Sequence, residues 1–282
     1  MTITSAQAAS LSPEQYQAFC RFLEETSGIV LGANKQYLVV SRLSPLLAAH
    51  RCASLEELLD RITRPGATAL RAEVVEAMTT NETQFFRDTY PFEMLKKHLF
   101  PELERRQVRL ARLWSAGCST GQEAYSVLMT AHEYNREGGR LEVEVVGTDI
   151  SPSVIRQAAA GRYSTASISR GLSQQRLQTF FTKVNANCWE ILPELRRRAA
   201  FRVHNLLESY ALLGRFDLIF CRNVLIYFSQ EARYDILTRM AGALNPGGYL
   251  LLGGSEALHR GVTAFELLRT PYGIIYRRRD RA

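Results

Sequence analysis

The chain has little that would tie it to a membrane or to the outside of a cell. Its longest apolar stretches, such as Tyr249 to Leu252, fall far short of the roughly 20 residues a spanning helix needs. The opening residues, MTITSAQAASLSPEQ, carry neither a basic start nor an apolar core, so no signal peptide is expected. Cysteine is sparse. Cys20, Cys52, Cys118, Cys188 and Cys221 form an odd, scattered set without a CxxC pair, which points to reduced thiols in the cytoplasm and away from a disulfide framework or a metal site. No internal repeat or low-complexity segment is present, which excludes solenoids and disordered tracts.

What is present is an ordinary globular composition, 46% hydrophobic and 22% charged, over 282 residues. That length suits two modest domains and a core that needs no staple. The formal net charge of +7 favours acidic partners without choosing among nucleic acid, an anionic surface and a carboxylate-rich protein.

Residues 12–80 read as helical. Ser12-Pro13-Glu14-Gln15 combines a Ser cap, a Pro at the first position and a Gln three residues later, a helix start. Tyr37, Val40, Leu43 and Leu47 suggest a second helix, although Val39 and Val40 also suit a strand. Ser54 to Glu57 is a capping box for a third, and Ala69 to Thr79 gives a fourth. From about residue 108, apolar strands alternate with helices: Leu110–Ser115, Glu142–Thr148, Phe201–His204, Phe216–Cys221 and, after the turn Asn245-Pro246-Gly247-Gly248, Tyr249–Leu252. Phe265–Thr270 and Gly273–Arg277 read as a closing antiparallel hairpin. The fold class is α/β, a doubly wound sheet preceded by an all-α domain. Residues 161–200 break the alternation and read as a helix plus an inserted subdomain. The expected division is 1–80 helical domain, 81–107 connecting and cofactor-contacting segment, and 108–282 main domain, with the insertion at about 163–200.

Trp114 through Glu123 sits where the first strand turns into a helix, with Gly117 and Gly121 in the turn. The second strand ends on Asp149, where a carboxylate can take both hydroxyls of a ribose. A tight turn plus a helix-capping Asp is an equal reading of these residues alone. The spacing departs from GxGxxG, which argues against a dinucleotide. Glu123 opens the following helix and complements its dipole. Cys118 and Cys221 lie near this edge with no adjacent His and read as packing residues.

Asn81-Glu82-Thr83-Gln84-Phe85-Phe86-Arg87-Asp88 resembles the N-x-T-x-F-F-R-[DE] segment of the CheR methyltransferases. The likeness continues through Trp114–Glu123, Thr148-Asp149-Ile150, Asn205-Leu206-Leu207, Phe216 to Phe228, Pro246 to Leu250 and Gly254-Ser255-Glu256, in family order over nearly the whole chain. The resemblance implies a helical N-terminal domain and a class I S-adenosylmethionine methyltransferase domain with a small inserted β-subdomain. It implies cofactor contacts at Asn81, Thr83, Arg87, Gly117, Glu123, Asp149, Asn205, Leu206, Arg222 and Asn223, with Arg87 and Tyr227 facing the reacting centre. It also implies a substrate: glutamate side chains on the cytoplasmic methylation helices of transmembrane chemoreceptors, with S-adenosylhomocysteine as product. The segment between Phe181 and Asn205 is somewhat short for members that dock on a receptor C-terminal tether peptide, which places tether binding in question. A monomer is expected.

Glutamate, with a pKa of about 4.3, is already an anion at neutral pH, so its methylation needs no general base. The absence of a convincing His/Asp pair fits this. What remains for the enzyme is alignment and removal of water, together worth roughly 7–11 kcal/mol. Arg87 has the fork to position a carboxylate, against the commoner fate of a surface pair with Glu82 or Asp88. Tyr227 either orients the carboxylate or covers the sheet edge. Between Glu25 and Glu56 the chain carries Lys35, Arg42 and Arg51 and no acid, a basic face suited to a glutamate-rich receptor. Arg196-Arg197-Arg198 with Arg202 forms a second basic cluster. A nucleic-acid methyltransferase is disfavoured, because no Asn-Pro-Pro-Tyr element or aromatic-interleaved basic stretch occurs. A catalytically dead cofactor sensor is disfavoured by intact Arg87, Asp149 and Tyr227.

Overall fold

Helix signals at the start of the chain have the hydrogen bonds their sequences call for. In the computed structural model, which describes residues 11–279, Ser12 Oγ accepts the Gln15 N–H at 3.2 Å and Gln15 Oε1 accepts the Ser12 N–H at 2.9 Å, a complete capping box. It opens α1 (Pro13–Ser27), which is followed by α2 (Gln36–Ala49), α3 (Leu55–Thr63) and α4 (Thr68–Met78). At α3 the box is shifted. Ser54 Oγ accepts from Glu57, but the Glu57 carboxylate reaches past the cap to the Ala53 N–H. Val39 is helical because the 3.6-residue period puts it with Leu43 on one fully buried face, and packing overrides β-propensity. These helices form one compact unit, Met1–Thr80 with Tyr227–Ser229; the other is Asn81–Ile226 with Gln230–Ala282.

The basic face expected on the first unit is only partly available. Arg42 donates to the carbonyls of Met78 and Thr79 and to Thr80 Oγ1. It therefore satisfies orphan acceptors at the end of α4. Lys35 and Arg51 are exposed. Arg42→Ala is expected to loosen the last turn of α4 by about 1 kcal/mol, read as roughly fivefold faster amide exchange there; unchanged exchange would reassign Arg42 to solvent. Steering of an acidic partner is better tested at Lys35, where charge reversal breaks no cap.

In the larger unit, α5 (Tyr90–Met94), a single π turn (Leu95–Leu99) and α6 (Phe100–Arg105) lead into β1 (Leu110–Ala116), α7 (Gln122–Arg136), β2 (Glu142–Asp149) and α8 (Pro152–Ala160). An insertion follows: β3 (Arg162–Ser164), α9 (Thr165–Ile168), α10 (Gln174–Phe180), β4 (Phe181–Asn185), β5 (Cys188–Ile191) and α11 (Pro193–Arg196). Its strands form an antiparallel sheet in the order β3-β5-β4. Strands of three to five residues show too few alternations to be read from sequence. Two of the four arginines of the basic cluster at its end are ion-paired: Arg196 meets Glu190 at 2.7 Å and Arg198 meets Glu142 at 2.8 Å.

The chain returns through β6 (Ala199–Val203), β7 (Phe216–Cys221), α12 (Gln230–Ala243), β8 (Leu244–Leu252), β9 (Phe265–Thr270) and β10 (Gly273–Arg278). The seven-stranded order is β6-β2-β1-β7-β8-β10-β9. Strands β6, β2, β1, β7 and β8 are parallel, and β10 is antiparallel to both β8 and β9. This is the class I methyltransferase-like arrangement. Asn245 to Gly248 bulges out of β8, whose register against β7 shifts between Phe216 and Leu218. Arg106 holds the bulge through the carbonyls of Pro246 and Gly247. The central strand β7 is buried at every position, as a strand covered on both faces must be.

Candidate active site

Strand register decides which loops meet. Ala116 at the end of β1 pairs with Thr148 of β2 and Cys221 of β7, and Cys221 in turn pairs with Leu252 of β8. The chain steps from β1 outward to β2 and β6, then crosses to β7, so the sheet reverses its winding between β1 and β7. Ligands in such sheets bind beyond the carboxyl ends at that reversal. The residues delivered there are Gly117, Asp149, Arg222-Asn223 and, one strand further on each side, Asn205 and Gly253.

The turn after β1 is shaped by packing as well as by conformation. Gly117 has φ +69°, and a Cβ there would collide with the Val224 side chain. Ser119, with φ +50°, is held by two bonds: its N–H donates to Asp149 Oδ2 at 2.9 Å and its hydroxyl to the Asn81 carbonyl at 2.7 Å. One serine thus joins the turn, the end of β2 and the 81–88 segment. Asp149 Oδ1 also accepts the Ser151 N–H at 3.0 Å, while Ser151 itself caps α8.

Segment 81–88 is anchored by its aromatics. Phe85 is fully buried, edge-on to Tyr163 at 5.0 Å and Phe181 at 5.6 Å. Phe86 donates its N–H to Ser126 Oγ, and its ring lies under the Arg176 guanidinium at 3.6 Å. Phe86, Asp88 and Thr89 all have positive φ, conformations that cost about 1–3 kcal/mol per residue and persist only where surroundings impose them. Between these fixed points, half-buried Arg87 makes one long bond, 3.4 Å to the Glu82 carbonyl. Among the described residues it forms no ion pair.

The acid next to it is taken by another arginine. Arg222, whose side chain is 1% exposed, pairs with Asp88 Oδ2 at 2.7 Å and Glu123 Oε2 at 2.9 Å, and donates to the Arg87 carbonyl at 3.0 Å. Glu123 Oε1 accepts from Ser115 Oγ at 2.7 Å. This network welds β7, the first turn of α7 and segment 81–88 together. Arg222 Nε is buried without a hydrogen-bond partner among the described residues.

Asn205 Oδ1 accepts the Leu207 N–H at 3.0 Å, and the carbonyl of buried Leu206 accepts from Tyr210 and Arg239. His204, one residue earlier, is held below its ordinary pKa chiefly by burial, with Arg239 reinforcing and Glu208 opposing the shift. Burial likewise pushes the Cys118 and Cys221 thiols up, so both stay protonated and inert at neutral pH. Thr83 is half-buried in its segment. Tyr227 groups with the helical unit, where its carbonyl accepts the Val30 N–H at 2.8 Å. Glu256, to which the sequence assigns no role beyond its place in the Gly254-Ser255-Glu256 likeness, accepts three backbone N–H groups through its carboxylate; the available signal is an acid placed just beyond the end of a strand.

Among the described residues no group of His, Cys, Asp and Glu is placed to hold a metal, and no helix is long and apolar enough to cross a membrane. Residues 81–274 match the family described as CheR methyltransferase, SAM binding domain, and residues 14–79 match CheR methyltransferase, all-alpha domain. The chain is 50% identical over 273 residues to chemotaxis protein methyltransferase 1 of Pseudomonas aeruginosa, covering 95% of this chain and 99% of that one. It is 48% identical to the chemotaxis protein methyltransferase of Vibrio parahaemolyticus, covering 96% and 98%. Among solved structures, a magnesium protoporphyrin IX methyltransferase from Synechocystis with bound SAM aligns at 17% identity and TM-score 0.39, over 78% of this chain and 94% of that one.

Proposed function

The chain belongs to the CheR methyltransferase family, and from that premise we propose that it transfers a methyl group from S-adenosylmethionine to glutamate carboxylates of chemoreceptors in the cytoplasm, producing glutamate methyl esters for sensory adaptation. The observation that carries this reading is the register of β2, β1 and β7, which delivers Asp149, the Gly117 turn and Arg222-Asn223 to one edge at the sheet's reversal.

The donor set fits the cofactor. Its amino-acid moiety carries an ammonium group, and Glu123 presents a carboxylate that Ser115 and Arg222 hold in place. Its ribose presents two hydroxyls. Asp149 engages backbone amides through each oxygen, and a carboxylate oxygen accepts more than one bond. The cofactor has no phosphate, which suits a turn without GxGxxG spacing. Asn81, Thr83, Asn205, Leu206, Arg222 and Asn223 complete the proposed binding set. When bound, S-adenosylmethionine supplies a methyl group activated by a sulfonium.

The substrate glutamate needs no proton removed. The protein's task is to hold its carboxylate in line and dry. Arg87 is assigned that positioning, because its fork is not committed to an internal acid. Tyr227 is proposed as a second positioning group. The methylation helices are proposed to meet the exposed cations of the helical unit, with Lys35 in the lead. Docking on a receptor tether peptide is not part of this reading.

The test is transfer of labelled methyl from S-adenosylmethionine to a receptor methylation-helix fragment, followed by mild base. Label that transfers and is then released as methanol is expected, because esters hydrolyse where N-methyl groups do not. Transfer that survives base, or no transfer, would overturn the reading.

A further inference from the structure

We infer that Glu256 is a positioning residue for the cofactor edge, fixing the loop after β7 to the loop after β8 and, through Val224, the glycine turn after β1. This rests on the reading that the edge binds S-adenosylmethionine.

Glu256 Oε2 accepts the N–H groups of Asn223 at 2.7 Å and Gly253 at 2.8 Å, and Oε1 accepts the Val224 N–H at 3.0 Å. These amides lie just past the ends of β7 and β8. Three donors from two loops therefore converge on one carboxylate. Among the described residues no cation pairs with Glu256, so backbone dipoles counter its charge. Charge-assisted bonds of this kind are roughly twice as strong as neutral ones. Glu256 also donates its own N–H to the Gly253 carbonyl at 2.9 Å, which closes the turn that carries it.

The arrangement has conformational consequences. Asn223 stands at φ +58°, a region that non-glycine residues enter at a cost, and the carboxylate is what gathers its amide and the next into one concavity. Val224, fixed by the second of those amides, packs on the position where Gly117 would carry a side chain. Gly253 has no room for one either: its Cβ would lie 2.6 Å from Glu256 Oε2 and 2.9 Å from the Asn223 nitrogen. One acid thus ties the loops after β7 and β8 to each other and, through Val224, to the turn after β1. With three donors already in place, Glu256 acts through Asn223 and Val224.

Glu256→Gln keeps the size of the side chain but turns an NH₂ group toward backbone donors. It is expected to weaken S-adenosylhomocysteine binding in calorimetry, and to raise KM for S-adenosylmethionine, by about tenfold, the equivalent of one charge-assisted bond. At saturating cofactor, kcat should stay within about threefold, and KM for a receptor fragment should not change. Glu256→Asp, charged but one methylene short, should fall between wild type and Gln. A folded Gln variant with wild-type cofactor affinity, even with a lower melting temperature, overturns the inference, as does a loss confined to kcat. Failure of the wild type to bind S-adenosylhomocysteine overturns the underlying reading and this inference with it. Should the Gln variant not fold, amide exchange in the wild type decides: slow exchange at Asn223, Val224 and Gly253 without ligand is expected, and loop-like rates there overturn the clamp.

Discussion

Arg87→Ala will slow single-turnover methyl transfer by about 10²-fold, the cost of misaligning reactants, and will leave the protein folded. Both halves follow from how little Arg87 does inside the chain. Its one internal bond is a 3.4 Å contact to the Glu82 carbonyl. Asp88, the obvious partner, is engaged by Arg222 at 2.7 Å. The backbone on either side is held by Phe85 and Phe86, not by the guanidinium. Removing the side chain therefore leaves no buried group unpaired, and stability should change by no more than about 0.5 kcal/mol. What is lost is the fork offered to a carboxylate. Lysine at this position restores charge without the planar pair of donors, so Arg87→Lys should recover only part of the rate. Rapid-quench measurement decides the matter. A rate within about threefold of wild type, some 0.7 kcal/mol in barrier, would show that Arg87 does not position the substrate.

Arg222→Ala will do the opposite, damaging the fold as well as the site. The Arg222 side chain is 1% exposed and ties Asp88, Glu123 and the Arg87 carbonyl together. Breaking a buried pair on one side leaves the other charge uncompensated and costs about 3–5 kcal/mol. Asp88 is 44% exposed and can turn to water, whereas Glu123 is 14% exposed, so the lower end, about 3 kcal/mol, is expected. Urea denaturation reads the loss. The diagnostic is the double variant Arg222→Ala with Glu123→Gln. Neutralising the stranded carboxylate should return part of the lost stability, a non-additivity of about 1 kcal/mol or more. Strict additivity would mean that the Arg222–Glu123 contact contributes nothing to the fold. The same pair of arginines thus separates two kinds of effect: rate without stability at Arg87, and stability first at Arg222.

Much of this was readable from the chain. Ser12-Pro13-Glu14-Gln15 set its own helix start because a capping box is closed by residues three apart. The apolar run Leu218-Ile219-Phe220 within Phe216–Cys221 is of the kind found in a strand covered on both faces. The turn Gly117–Gly121 and the strand-ending Asp149 marked the proposed ligand edge because glycine and a terminal carboxylate act through local backbone geometry. Class, domain order and the location of the proposed cofactor edge were therefore properties of short segments, and so were visible one segment at a time.

The rest depended on residues far apart in sequence meeting. Arg42 looked like a free cation because nothing near it is acidic; only folding brings it to the end of α4, 36 residues away, where it caps carbonyls. Arg222 and Asp88 are 134 positions apart, and Glu256 reaches the amides of Asn223 and Val224 across 33 and 32. Such partners carry no periodicity, since a charged side chain has the same composition whether it faces water, a receptor or a buried acid. Sequence by itself determined the class, the main helices and strands, and the edge proposed to bind. Tertiary structure decided which arginine keeps an uncommitted guanidinium and which has its guanidinium consumed by the fold, because that choice turns on desolvation and pairing, and these exist only once the strands are in register.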